Sequence, residues 1–252
     1  MVQKFDFISN NEWHKIFDKC FKKPSYIDNV YVECLNANFS FRPDKSHVMT
    51  TTCNVFSPKK AAAMYMWYKT ANRFDKSITK YFDEYKGLTD FLHPAYNSNY
   101  GFYAYSRGEG LDLCVNRLIN NSQTRQACFC INNNNAMSDT SIDKLCTNTI
   151  HFFIRNNVLI MNVQMRSSNF LALLPYDAFM FSVFYAEVYY RLKTQKYKSL
   201  KIGRIYMQIA SLHYYVSDFE KYEYKANEVE QQYIDFKNPE KLYFEFYTLL
   251  NS

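Results

Sequence analysis

The chain of 252 residues has no CxxC pair among its seven cysteines, no long basic block and no internal repeat. It also lacks the run of ~20 apolar residues that crosses a bilayer. Each absence excludes a class of protein. Cysteines at positions 20, 34, 53, 114, 128, 130 and 146 are odd in number and unpaired in spacing, which argues against a disulfide framework and for a reducing compartment. Cys128 and Cys130 alternate along an expected strand and point the same way, but two ligands do not make a zinc site, so no metal is expected. The N-terminal MVQKFDFISNNEW carries charges where a signal peptide carries an apolar stretch. The expectation is a cytoplasmic protein with no membrane partner. A net charge of +6, spread thinly along the chain, reads as a solvated surface, so no direct nucleic-acid binding is expected.

What remains is ordinary globular composition, 48% hydrophobic and 21% charged, in a chain long enough for one substantial core. The spacing of Trp13, Ile16, Phe17, Cys20 and Phe21 predicts an amphipathic helix over 11–22 behind an Asn cap. Residues 30–41 alternate as one or two strands, ended by Arg42-Pro43-Asp44. Ser57-Pro58 opens a second helix over 59–70, whose face carries Ala63, Met64, Trp67 and Tyr68. Further on, a short helix is expected over 77–85, a polar loop over 94–100, a helix over 111–120 and a strand over 124–131. An irregular Asn/Ser-rich loop over 132–141 follows. After a basic linker over 193–201 come a strand at 203–209 and a charged, aromatic tail with a helix at 226–236.

The most informative stretch is KLCTNTIHFFIRNNVLIMNVQMRSSNFLALLPYD, residues 144–177. Runs 149–154 and 158–164 are rich in β-branched and aromatic residues, and Arg155-Asn156-Asn157 between them is a turn-prone break. The result is a hairpin with Cys146 and Arg166 at corresponding ends. Pro175 then introduces a largely apolar helix over 177–192, with Asp177 in the first turn, where a carboxylate is electrostatically favoured.

These residues, in this order, resemble the thymidylate synthase superfamily and within it most closely the phage deoxycytidylate hydroxymethylases. The resemblance rests on Cys-Thr-Asn-Thr at 146–149, Arg166-Ser167, Pro175-Tyr176-Asp177 and Ser-Leu-His-Tyr-Tyr at 211–215, with Asn-Ser-Asn-Tyr-Gly at 97–101 and Thr124-Arg125 upstream. It covers roughly residues 60 to 224. It implies a single α+β domain over 1–252, in which a large mixed β-sheet is flanked by helices and two subunits pack sheet to sheet as a homodimer.

The resemblance also implies roles. Cys146 adds to C6 of a pyrimidine, and an arginine near the thiol is expected to lower its pKa. Arg166 and Ser167 hold a phosphate, as does Arg125 from the partner subunit; the second arginine of the family's pair is Gln126 here. His213 and Tyr215, two apart on an extended segment, hold the sugar 3′-hydroxyl, and Tyr100 assists proton movement near the cysteine. Asp177 stands where thymidylate synthases carry an asparagine. A carboxyl group that holds or shares a proton satisfies the N4 amino group and N3 of cytosine, so dCMP is favoured over dUMP. The cofactor implied is 5,10-methylenetetrahydrofolate, and on its side the chain departs from the family pattern. The family glutamate three residues before the tryptophan is Met64, which cannot carry a proton; the aspartate after Arg-Ser-x is Asn169, and a glycine is Leu173. The leading expectation is a dCMP 5-hydroxymethylase-like transferase. The alternatives are a nucleotide-binding pseudoenzyme that has lost folate chemistry, or an enzyme using the same cysteine addition without folate.

Overall fold

The computed structural model describes residues 12–51, 56–106, 108–132, 142–219 and 233–252. The first helix, α1 (Trp13–Phe21), buries Trp13, Ile16, Phe17, Cys20 and Phe21, the face read from the sequence. Its N-cap is Glu12, without a side-chain cap bond, and the asparagines expected to cap it lie outside the described residues. Glu12 is instead bound from two sides: Arg204 donates to both carboxylate oxygens at 2.7 and 2.8 Å, and the Arg42 amide donates at 3.1 Å.

Six strands form one mixed sheet in the order β1 (Tyr26–Ile27), β2 (Tyr31–Phe41), β6 (Lys201–Tyr215), β5 (Val158–Asn169), β4 (Thr147–Arg155), β3 (Cys128–Cys130). All neighbours are antiparallel except β5 and β6. The β4–β5 hairpin closes on Asn156 and Asn157, both at positive φ (50° and 60°), the pair that a tight turn matched to strand twist requires. Helix α5 (Leu174–Gln195) is buried along most of its length, and the Tyr185 hydroxyl joins it to the sheet by donating to the Leu159 carbonyl and accepting from the Gly203 amide. Around it stand α2 (Pro58–Lys69), capped by Ser57, then α3 (Tyr100–Ala104) and α4 (Gly110–Asn120), with α6 (Lys241–Asn251) packed on α2.

Several expectations are corrected. The strand expected over 124–131 is only the three residues of β3, and residues 77–85 form two 3-10 turns, not one helix. The basic segment at 193–195 continues α5, and β6 begins at Lys201 and runs through His213 and Tyr215. Helix α6 was not anticipated, whereas 233–236, the end of the expected tail helix, is not helical; the rest of that helix and the loop 133–141 lie outside the described residues.

One feature of the sheet positions the site. Burial alternates through Ala37, Phe39 and Phe41 of β2, Met161, Val163 and Met165 of β5, and Ile205, Met207 and Ile209 of β6. It then slips by one residue, so that Val32, Ser168, Leu212 and Tyr214 are the buried ones beyond. Cross-strand pairing is interrupted at the same level in all three strands, at Asn36, Arg166 and Ala210. Asn36 sits at φ 54°. Because the three strands slip together, register is kept while the side chains beyond are re-aimed, the usual use of a bulge beside a site. Arg166-Ser167, Asn169, His213 and Tyr215 all lie at or past this level.

A candidate pyrimidine nucleotide site

Past the slip, a cavity of about 460 Å³ opens between the ends of β5 and β6, the start of α5, the wall of α2 and the segment leading into β4. Cys146, Arg166, Ser167 and Asp177 line it, and so do Tyr100, His213 and Tyr215. Met64, Asn169 and Leu173 line it as well. Of the residues singled out in the sequence, Arg125 alone is not among its lining; it is exposed, in the bend before β3.

Cys146 and Arg166 meet as the hairpin requires, the Arg166 amide donating to the Cys146 carbonyl at 2.8 Å. The guanidinium then turns back on the segment before β4: Nε donates to the Leu145 carbonyl at 2.7 Å and Nη2 to the Lys144 carbonyl at 3.1 Å. Arg166 therefore fixes the Cys146 loop as well as facing the cavity. The Nη1 edge keeps donors for an anion, since a guanidinium has more N–H groups than these two carbonyls use. Arg166 pulls the thiol pKa down, as expected, but the net shift runs the other way. Its pull is outweighed by burial, with Asp177 and Asp143 adding to the rise, and the thiol is pushed up to about 11.

Asp177 sits in the first turn of α5 and lines the cavity. Desolvation raises its carboxyl from 3.8 to about 7, so near neutrality it is a mixture of acid and carboxylate. A protonated carboxyl donates once and accepts once, the complement of a cytosine edge. Tyr100, 5% exposed, is kept a neutral phenol by burial and by Cys146 and Asp177. It reaches the cavity because Gly101 lets α3 press on α2; a Cβ there would sit 1.9 Å from the Tyr68 carbonyl oxygen. Burial keeps His213 neutral, and its ring meets that of Tyr215 edge to face at 5.2 Å.

The α2 side differs in character. Met64 is 1% exposed and packs in the core while lining the cavity, with Leu88, Ala172 and Leu173 nearby. The Asn169 carboxamide is committed: its oxygen accepts from the Leu171 and Ala172 amides, both at 3.0 Å, and its nitrogen donates to Asp218 at 3.0 Å.

Sequence reasoning missed several lining residues, above all Asp143 and Glu84, and gave Ser98 no role of its own. A lone acidic residue in a polar segment looks the same whether it is solvated or buried. Only contact shows that Ser98 donates to the Asp143 carboxylate through its amide (2.9 Å) and its hydroxyl (2.8 Å). A second cavity of about 330 Å³, between α2, α5 and α6, holds none of the expected residues. Among the described residues no three His, Cys, Asp or Glu side chains cluster as metal ligands, and no helix is long and apolar enough to cross a membrane.

The chain superposes on the thermostable thymidylate synthase A from Bacillus subtilis with a TM-score of 0.59, over 90% of each chain. The fold is that of thymidylate synthase. Identity across that superposition is 15%, so the likeness is one of architecture. No protein-family model and no curated protein sequence matches the chain. The cavity that brings Cys146, Arg166 and Asp177 together lies within that fold.

Proposed function

We propose that this protein modifies C5 of a pyrimidine deoxynucleoside monophosphate, with dCMP as substrate and Cys146 as the nucleophile that adds to C6. The observation that carries the reading is the meeting, in one cavity, of Cys146, Arg166-Ser167 and a carboxyl at Asp177 that holds its proton up to about 7. In this reading the phosphate lies against Arg166 and Ser167, with Arg125 reaching it from the partner of a homodimer, and the sugar lies against His213 and Tyr215. Asp177 places its proton between itself and N3 and accepts from the N4 amino group. Once sulfur is bonded to C6, electron density moves to C5 and N3, and the proton at Asp177 stabilises it there. The fuller form of this reading is 5-hydroxymethylation, as in the phage deoxycytidylate hydroxymethylases, for which 5,10-methylenetetrahydrofolate would be the one-carbon donor.

The residues present suit the nucleotide better than the folate. A pterin edge needs acceptors, and the buried part of the α2 side offers Met64, Leu88, Ala172 and Leu173, while the Asn169 oxygen is already bonded twice and the one further acceptor side chain there, Glu84, is exposed. The buried residues do not fit the pterin edge. That mismatch favours a second reading, in which the same cysteine addition activates C5 for a reaction without folate, proton exchange being the simplest.

Purified protein incubated with 5-tritiated dCMP or dUMP, with and without methylenetetrahydrofolate, tests both. Tritium release from dCMP is expected in either case, and 5-hydroxymethyl-dCMP only in the first. No release from either nucleotide would sink the C5 chemistry and leave a nucleotide-binding pseudoenzyme.

A further inference from the structure

The proposed addition sets a difficulty that the residues named so far do not solve. Burial holds the Cys146 sulfur as a thiol, with about one molecule in 10⁴ ionised at pH 7 when the pKa is about 11. Adding as a thiol, the sulfur must shed its proton inside the cavity. The groups that face it differ in fitness for taking that proton. Arg166 is permanently charged and bonded to the carbonyls of Leu145 and Lys144. Tyr100 and Tyr85 are buried neutral phenols, and the Lys144 backbone carbonyl, which accepts from the Cys146 thiol at 4.0 Å, orients the S–H without taking its proton. Asp177 is used at the base edge, His213 at the sugar end, and Glu84 is exposed, with no bond to it among the described residues.

Asp143 is different. It lies three residues before Cys146, lines the same cavity and is 3% exposed. Its carboxylate is held by two bonds from Ser98, and the Asn97 amide group donates to its backbone carbonyl at 2.9 Å. The Asn-Ser-Asn-Tyr-Gly segment thus holds the Asp143 backbone with Asn97 and its carboxylate with Ser98, caps α3 with Asn99 and delivers Tyr100.

Resting on the reading of Cys146 as a nucleophile, we infer that Asp143 accepts the Cys146 proton as sulfur adds to the ring and returns it when sulfur leaves. In the forward step the S–H bond breaks and its proton passes to an Asp143 oxygen, while the sulfur electron pair forms the bond to C6. The C5–C6 π pair moves to C5 and through C4 to N3, where it meets the proton of Asp177. In exchange, C5 takes a solvent proton and loses its original hydrogen. The C5–C6 double bond then re-forms as the S–C6 bond breaks, and the sulfur recovers its proton from Asp143. No electrons are gained or lost overall. Burial raises the proton affinity of Asp143, and the two Ser98 bonds, the Asn97 amide and the charge of Arg73 restrain the rise, which leaves a carboxylate able both to take a proton and to release it.

The test separates this role from bystander electrostatics because the two predict opposite signs. A charged Asp143 also raises the thiol pKa, so Asp143→Asn should leave Cys146 alkylation by iodoacetamide at pH 8 unchanged or faster. Tritium release from 5-tritiated dCMP should nonetheless fall by about 10² to 10⁴, the worth of a positioned proton carrier, and Asp143→Glu should recover part of it. Alkylation and exchange rising together would make Asp143 a bystander; both lost together would make it structural. Either result overturns the proposal. If Asp143→Asn does not fold, Ser98→Ala takes its place: losing the hydroxyl donor should move the acid limb of exchange to higher pH, and an unmoved limb overturns the proposal. Exchange absent from the parent protein, with Cys146 still alkylated, overturns the functional reading itself and this role with it.

Discussion

Replacing Asp177 by asparagine changes one heavy atom and removes the proton site that the proposed function places at the base edge. With the carboxyl at about 7, pairing with cytosine needs one proton shared between Asp177 and N3, whichever of the two carries it. Affinity for dCMP should therefore be flat below pH 7 and fall about tenfold per unit above it, a loss of roughly 100-fold between pH 6 and pH 9. Uracil presents an N3–H donor, which an ionised carboxylate accepts, so the dCMP to dUMP ratio should shrink as pH rises. In Asp177→Asn the pH dependence should vanish and the preference should turn toward dUMP, by up to about 10⁴ where cytosine leaves polar partners unpaired. Calorimetric titration of both nucleotides on both proteins from pH 6 to 9 reads this directly. The same substitution has a stability signature. The folded-state pKa is raised, so the contribution is present in full below pH 3.8 and lost as pH rises through about 7, on the order of 4 kcal/mol in total. Asp177→Asn lacks that loss, so its melting temperature should gain on the parent's between pH 5 and pH 8. Unchanged nucleotide ratios in the variant, or dCMP binding by the parent that ignores pH, would refute the reasoning and reduce Asp177 to a helix-start carboxylate.

Cys146→Ala should abolish tritium release while leaving dCMP binding, measured by titration, largely intact, since the sulfur makes the covalent bond but few ground-state contacts. On the proposed reading Arg125 serves the phosphate from a partner subunit, so sedimentation should give a dimer at micromolar concentration; a monomer would remove Arg125 from the site. Met64→Glu combined with Leu173→Gly should form more 5-hydroxymethyl-dCMP than either single change. Turnover by the unmodified protein at roughly 1 to 10 per second would show that its own residues already manage the proton work.

The sequence carried the hairpin, the capped start of α2 and the start of α5 because each depends on neighbours in the chain. Asn156-Asn157 admits positive φ, Ser57-Pro58 fits a helix start, and Pro175 with Asp177 fits another. It hid α6 because Tyr243, Phe244 and Tyr247 lie exposed beside the buried Leu242 and Phe246, which blurs the helical period. It also hid the length of β6, whose basic start resembles a linker until β5 and β2 flank it. In the site, Cys146, Arg166 and Asp177 were legible from their order. The rise of the thiol pKa and the burial of Asp143 depend on how many atoms surround each group, and no local pattern encodes that.

The shared slip at Asn36, Arg166 and Ala210 bears on how such a chain can change over time. A substitution at any of these positions alters one side chain, but the loss or gain of a single residue in one of the three strands would rotate everything beyond it by half a turn. Ser167 and Asn169, or His213 and Tyr215, would then point into the wrong layer while the strand itself remained a good strand. The chain is therefore held less to the identity of its letters than to their count between the slip and the cavity. Eighty-five per cent of superposed positions differ from another thymidylate synthase fold that keeps the same architecture. A one-residue deletion inside β5 or β6 should do more harm than many substitutions there.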